Sequence, residues 1–146
     1  MYCKVEYLKW IDHAETVDYE ALSNLYRIAP LGDKTAKILE EVFSNSMFKY
    51  FLYDGERLIG AGRALADGAD CSYICDVAID PKYQGFGLGK IMIEKLIESS
   101  KHHKKIILYA VPTKEPFYAK FGFLKMKTAM AIFQKQDLAR DMNLVE

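Results

Sequence analysis

Three glycines alternate with other residues in Gln84-Gly85-Phe86-Gly87-Leu88-Gly89-Lys90 and run straight into an apolar, helix-like segment. Between a strand and a helix, the amides of such a turn and of the first helical turn receive no acceptor from the helix itself. They point with the positive end of the helix dipole, which favours a phosphate group, and glycine lets the backbone come close to it. Two phosphate patterns fail on spacing. A P-loop needs four residues between Gly and Gly-Lys-Ser/Thr, but Lys90 is followed by Ile91, so no magnesium-binding hydroxyl stands beside the lysine. A dinucleotide fingerprint needs Gly-x-Gly-x-x-Gly and an acidic residue ending a second strand, and neither is present. What is left is a phosphate ligand of another kind, or a tight turn that binds nothing.

Other residues with chemical potential are fewer. Asp76 falls in what reads as a central strand, where a carboxylate is costly unless paired or hydrated. It is either a base, acting directly or through water, or a structural carboxylate satisfying turn amides or an arginine such as Arg63. Tyr73 belongs to the same region. Cys3, Cys71 and Cys75 match neither zinc nor redox spacings and read as free thiols of a reducing cytosol. Cys75 is expected to be buried rather than reactive. His102 and His103, in Ser-Ser-Lys-His-His-Lys-Lys, read as a solvated turn, and His13 as surface; no metal site is expected.

The pattern Gln84-x-x-Gly87-x-Gly89 resembles the pyrophosphate signature of the GNAT superfamily, the acyl-CoA-dependent N-acetyltransferases. The stretch Asp76-Val-Ala-Ile-Asp-Pro-Lys-Tyr-Gln-Gly-Phe-Gly-Leu-Gly-Lys90 and its helix are similar to that family's strand–loop–helix core. Phe117-Tyr-Ala-Lys-Phe-Gly-Phe123 resembles its second signature, on the helix after the fifth strand. Upstream, Gly55-Glu-Arg-Leu-Ile-Gly-Ala-Gly-Arg63 is similar to a branch of small bacterial members and plant arylalkylamine acetyltransferases. The similarity runs over about residues 20 to 125. Two signatures about thirty residues apart, on the expected elements, are far more specific than a glycine run alone.

The resemblance implies acetyl-CoA as cosubstrate and no metal. It implies that Val77, Ala78 and Ile79 splay from Ile107–Val111, so that the pantetheine arm pairs with their backbone as an added strand. The amides of Gly85, Phe86, Gly87, Leu88, Gly89 and Lys90 would hold the pyrophosphate, with Gln84 bracing the turn, Phe117 along the arm, and Lys82 and Lys90 adding charge. Tyr118 matches the position of the acid that protonates the departing thiolate; a phenol of pKa about 10 is still protonated at neutral pH. An acceptor amine of pKa near 10.4 is neutral in only about one molecule in a thousand at pH 7, so it must lose a proton before it attacks. Asp76, Tyr73 or a water chain is left as the base. One departure stands out. Many relatives place an asparagine where this chain has Val111-Pro112-Thr113, and Pro112 has no N–H to donate. Thr113 is expected to cap the following helix.

The elements that must position these residues alternate. Val5–Trp10 reads as a first strand, and Val17–Ile28 as a helix stopped by Pro30-Leu31-Gly32. Asp33 is a plausible N-cap for a second helix with Ala36, Leu39, Val42 and Phe43 inside. Residues 47–65 read as two strands joined at Asp54-Gly55, a hairpin dipeptide. After a turn at Ala66–Asp70 come a strand, Cys71–Ile79, and a helix, Leu88–Ser100. Lys105–Val111 is an apolar strand, Thr113–Lys120 a short helix, and residues 123–133 give one or two final strands. After Gln134 the tail is expected to fray. The fold class expected is α/β with a mixed sheet of about six or seven strands and about four helices, the fourth and fifth strands splayed.

At 146 residues one domain, 1–146, is expected. Lys plus Arg and Asp plus Glu number 20 each, and no basic patch suggests nucleic acid or an acidic membrane as partner. The N-terminus lacks a signal-peptide pattern, no apolar run approaches the roughly 18 residues of a membrane span, and a cytoplasmic monomer or homodimer is expected. Three functions remain open: acetylation of a small amine, with arylalkylamines among the candidates; acetylation of protein lysines or N-termini; and an acyl-CoA-sensing module without catalysis. Tyr26, Tyr73 and Phe133 either line an apolar acceptor pocket or are plain core.

Overall fold

The computed structural model describes residues 5–146. Cys3 therefore lies outside the described residues. The chain divides into a larger unit ending at Leu108 and a smaller one, Tyr109–Glu146.

The larger unit is built on a five-stranded sheet, β1 (Lys9–Ile11), β2 (Phe48–Asp54), β3 (Arg57–Ala66), β4 (Cys71–Ile79) and β5 (Lys105–Ile107), in that spatial order. Neighbours are antiparallel except β4 and β5, which are parallel. Three helices cover it: α1 (Tyr19–Ile28), α2 (Ala36–Ser44) and α3 (Leu88–Ser99). Asp18 caps α1 by accepting from the Glu20 and Ala21 amides at 2.9 and 3.2 Å. The predicted cap of α2, Asp33, lies too early. Thr35 does the work, taking the Ile38 amide at 3.2 Å, and Asp33 instead faces Arg27.

Adjacent residues of β2 separate the two faces of the sheet. Phe51 packs with Leu22, Leu25, Tyr26, Leu39 and Phe43 of α1 and α2, while Leu52 packs with Ile59, Ile79, Tyr83 and Leu88 on the α3 side. Helical spacing in α1, α2 and α3 and strand alternation in β2 thus meet in two apolar layers. Tyr26 is fully buried in the first, which makes it core rather than pocket lining.

Several expectations need correction. Val5–Tyr7 is a 3₁₀ turn, and the first strand is only Lys9–Ile11, as far as partners Phe51 to Tyr53 extend. Likewise β5 is a strand only where β4 supplies partners, Cys71 to Tyr73, and it ends at Ile107 rather than Val111. His103 does not lie in a solvated turn. Its side chain is 3% exposed, with Nε2 accepting the Gly68 amide at 3.0 Å, so the ring proton sits on Nδ1, 3.1 Å from the Ser100 carbonyl. That ring ties the α3–β5 connection to the β3–β4 turn.

The smaller unit holds α4 (Glu115–Ala119) and α5 (Gln136–Asp141). Thr113 is not the cap of α4: it has φ +77°, and Lys114 takes the cap position without a side-chain bond. Residues 123–133 form no strand, although Thr128–Phe133 has the composition of one. β-forming side chains alone do not make a strand, because a strand also needs a ladder partner. The tail after Gln134, expected to fray, carries α5 with Ala139 buried. Among the described residues, five strands and five α-helices therefore stand against the six or seven strands and four helices expected; the mixed α/β class holds.

Candidate functional site

The site begins with an irregularity in β4. Opposite it, two steps along β3 from Ala61 to Arg63 match three steps along β4 from Ala78 back to Cys75. The extra residue makes a bulge, and Asp76 carries it with φ +54°. Aspartate tolerates this left-handed region better than most residues, but the conformation persists only where surroundings hold it. Here they hold it from both ends. The buried Tyr26 hydroxyl donates to the Asp76 carbonyl, and Arg63 Nε donates to Asp76 Oδ2 at 2.8 Å. Arg63 is itself fixed by Ser46 Oγ at 3.2 Å and lies over the Phe43 ring. Of the two roles open for Asp76, pairing with Arg63 is thus observed. Burial, with the Asp76 charge adding to it, holds the Tyr26 phenol well above its ordinary 10, so it stays a donor.

Beyond the bulge, β4 continues through Val77, Ala78 and Ile79 against β3, while its pairing with β5 has already ended at Tyr73 and Ile107. The strand is therefore without a β5 partner from Ile74 onward. Tyr73, half-buried, occupies the last paired position.

Asp80 closes the strand. Its carboxylate is 2% exposed, accepts the Lys82 amide at 2.9 Å and pairs with Arg57 at 2.7 Å. This fixes the 3₁₀ turn Pro81–Tyr83, whose Tyr83 hydroxyl donates to Asp54 at 2.6 Å. The Gln84 amide side chain reaches back to the Ile79 carbonyl at 3.3 Å, as expected of a residue bracing the turn. Gly85 and Gly87 have φ +89° and +77°, and a side chain added at either would enter open space. Gly87 is the N-cap of α3 and has no side-chain oxygen to offer. As a result the six consecutive amides from Gly85 to Lys90 donate to no acceptor among the described residues. Leu88 anchors the loop in the core, whereas Phe86 and Lys90 are exposed, Lys90 standing 3.7 Å from Glu94. These free amides stand at the N-terminus of a twelve-residue helix, where the positive end of the helix dipole lies.

Cys75, beside the bulge, has its thiol pushed up to about 11 by burial, which outweighs the Arg63 charge. It is therefore a poor nucleophile at neutral pH. No group of three metal-ligating side chains occurs among the described residues. In the smaller unit, Tyr118 lies on α4 with its ring edge-on to Phe117 at 5.1 Å and to Phe123 at 6.2 Å. Burial raises the Tyr118 phenol above its ordinary value. Phe133 packs edge-on to Tyr109 at 6.0 Å.

Sequence reasoning missed Lys34, whose Nζ stands 3.7 Å from Asp76 Oδ1. It also missed Asp80 and Tyr26 as the groups that hold the loop and the bulge. Only Asp80 had a local signal, the Asp-Pro step that starts a 3₁₀ turn.

Comparison with known proteins bears on the family and the fold. Residues 14–137 match the acetyltransferase (GNAT) domain family. An uncharacterized N-acetyltransferase of Pyropia yezoensis is 41% identical over 71 residues, which is 47% of this chain and 41% of that protein. A histone acetyltransferase of Glycine max is 46% identical over 70 residues, 47% of this chain and 30% of its own length. The chain thus covers less than half the length of these curated relatives. Among solved structures, a probable acetyltransferase of meticillin-resistant Staphylococcus aureus superimposes with a TM-score of 0.76 at 29% identity, over 86% of this chain and 98% of that one. A predicted acetyltransferase of Clostridium acetobutylicum, solved with acetyl-CoA, shares the fold with a TM-score of 0.65 at 16% identity, over 88% of this chain and 97% of the other.

Proposed function

The chain belongs to the GNAT acetyltransferase family, and from that premise we propose that it is an N-acetyltransferase that uses acetyl-CoA to acetylate a primary amine, a small molecule, with both substrates bound together. The observation that carries this reading is the row of six unpartnered amides from Gly85 to Lys90, with open space above Gly85 and Gly87. The residues fit the cosubstrate. In this reading the Gly85–Lys90 amides take the pyrophosphate, Lys82 and Lys90 add charge, the β4 edge at Val77, Ala78 and Ile79 takes the arm, and Phe117 is kept as a further cofactor-binding residue. The match of the family across residues 14–137 supports one catalytic domain that includes both units.

When bound, acetyl-CoA supplies the acetyl group as an activated thioester. The chain's own part is to orient the amine, to remove a proton from it and to return one. Asp76 offers a carboxylate held in a fixed direction by Arg63, suited to orienting an ammonium group and to passing its proton to water. Tyr118 Oη, kept protonated by burial, holds the proton for the leaving sulfur. The raised Cys75 thiol favours direct attack over an acyl-cysteine route.

One observation favours a second reading. The soybean relative is named a histone acetyltransferase, which supports a protein acceptor. A sensing module without catalysis is less consistent with an intact Tyr118. A cytoplasmic site and a monomer or homodimer are retained as proposals; two Arabidopsis thaliana relatives are chloroplastic, and no described helix is long and apolar enough to cross a membrane.

The test is thiol release from acetyl-CoA with a panel of small amines, peptides and proteins, followed by bisubstrate kinetics. Turnover with small primary amines, intersecting double-reciprocal lines and an active Cys75→Ala variant are expected. Turnover with proteins alone selects the second reading. Parallel lines with an acetylated Cys75 in mass spectrometry overturn direct attack.

A further inference from the structure

The two oxygens of Asp76 are held very differently. Oδ2 receives Arg63 Nε at 2.8 Å, and Arg63 is only 12% exposed. Among the described residues, Oδ1 faces only the Lys34 ammonium, at 3.7 Å, beyond hydrogen-bond length. Lys34 comes from the connection between α1 and α2, and its Nζ stands 6.0 Å from the centroid of the Tyr26 ring. The Lys34 carbonyl is tied to α1 through the Ser23 hydroxyl, so the backbone is anchored while the side chain, 30% exposed, reaches over to the carboxylate.

A lysine side chain ends in a primary ammonium, the same group that a primary amine acceptor presents before it loses its proton. We propose that Asp76 Oδ1 is an ammonium subsite for the acceptor, that Lys34 fills it from within the chain, and that the acceptor enters by displacing Lys34. This rests on the reading above, in which Asp76 faces the acceptor.

Three features make Lys34, not Arg63, the exchangeable cation. Arg63 has further partners in Ser46 and Phe43, so moving it would strip several groups at once. The contact of Lys34 is loose, and ion pairs with this much solvent access contribute little. Departure of Lys34 leaves the carboxylate still paired with Arg63, so the bulge stays satisfied. Because Lys34 is tethered, it competes with the acceptor at an effective concentration on the order of millimolar. It thereby sets a threshold against weakly bound amines.

The experiment has two arms. In the first, Lys34→Met is expected to lower KM for primary amines by about two- to fivefold, the most a partly exposed ion pair delivers (fivefold being about 1 kcal/mol), with kcat little changed. Lys34→Arg, which keeps a cation in place, is not expected to lower it. The second arm reads the lysine directly. Protein methylated with ¹³C-formaldehyde, with coenzyme A present, is titrated with methylammonium and with phenethylamine, and the Lys34 resonance is identified by its loss in Lys34→Arg. Movement of that resonance with both amines, and none with phenethyl alcohol, is expected. A Lys34 resonance unmoved by either amine, or an unchanged or raised KM in Lys34→Met, overturns the proposal. If the resonance moves but no amine is acetylated, the subsite stands and the proposed activity fails. If amines are acetylated while Lys34 stays put, the reverse holds.

Discussion

The hydroxyl of Tyr26, in the last turn of α1, donates its hydrogen bond to the backbone carbonyl of Asp76, fifty residues further along the chain. A fully buried ring on one layer thereby fixes the one residue of β4 with positive φ. Tyr26→Phe keeps the ring and removes the donor, leaving the bulge carbonyl short of its partner. It should cost about 1–3 kcal/mol in urea denaturation. If Asp76 lies at the reacting centre, turnover should fall further than cofactor affinity does. A variant as stable as the parent would show that the bulge is held by the Arg63 pair alone.

Gly87→Asp tests the amide row. Its backbone, φ +77°, is one that aspartate tolerates, and its side chain enters open space, so the chain should fold with a melting temperature within a few degrees of the parent. The new carboxylate stands where a pyrophosphate is proposed to bind, blocking it and repelling its charge. Titration calorimetry with acetyl-CoA should show binding abolished. Unchanged affinity would remove the central claim about this loop.

What could be read in the sequence was what depends on local chemistry. The hairpin at Asp54-Gly55, the strand Cys71–Ile79 and the helix after the glycines all announce themselves within a few residues, because turn geometry and side-chain period are local properties, whereas the bracing role of Gln84 came from the family resemblance. Asp76 was visible as an awkward carboxylate, and Arg63 as a partner for it. The contact of Lys34 with Asp76 was not, since it joins positions forty-two apart through the packing of α1 and α2 on the sheet. The lengths of β5 and of the expected final strands failed for the same reason. Val, Ile and Phe make a segment fit for a ladder, but the neighbour that completes the ladder is a tertiary fact.

The turn between β3 and β4 carries a pH prediction. Asp67 accepts the amides of Ala69, Asp70 and Cys71 at 2.9, 2.7 and 3.2 Å, and His103 Nε2 lies 3.9 Å away. The amide bonds, Ala69 first, lower its carboxyl from 3.8 to about 2. A folded-state value below the unfolded one means the charged form stabilises the fold above about pH 4, and this contribution disappears as pH falls toward 2. Thermal unfolding should therefore show Asp67→Ala melting below the parent at pH 7, with the gap closing between about pH 4 and 2. A gap that stays constant to pH 2 would mean that packing, not the carboxylate, is what the substitution removes.

Tyr118 carries the prediction closest to the chemistry. Its phenol is raised by burial, so it remains protonated throughout the neutral and mildly alkaline range and can serve as an acid there. Tyr118→Phe keeps the aromatic contacts with Phe117 and Phe123 and deletes only the hydroxyl. Acetyl-CoA affinity should survive while the single-turnover rate falls about 10²–10⁴-fold, the range for loss of a general acid. The pH profile reports on the amine as well. Up to about pH 9 the neutral fraction of an amine with pKa near 10 rises almost tenfold per unit, and the parent rate, still supplied with its acid, should rise with it. The variant should keep that slope at a lower level, because the amine still has to lose its proton. A parent rate that falls between about pH 8 and 9, or a variant that turns over like the parent, would reduce Tyr118 to a packing residue and leave the leaving thiolate to be protonated by water.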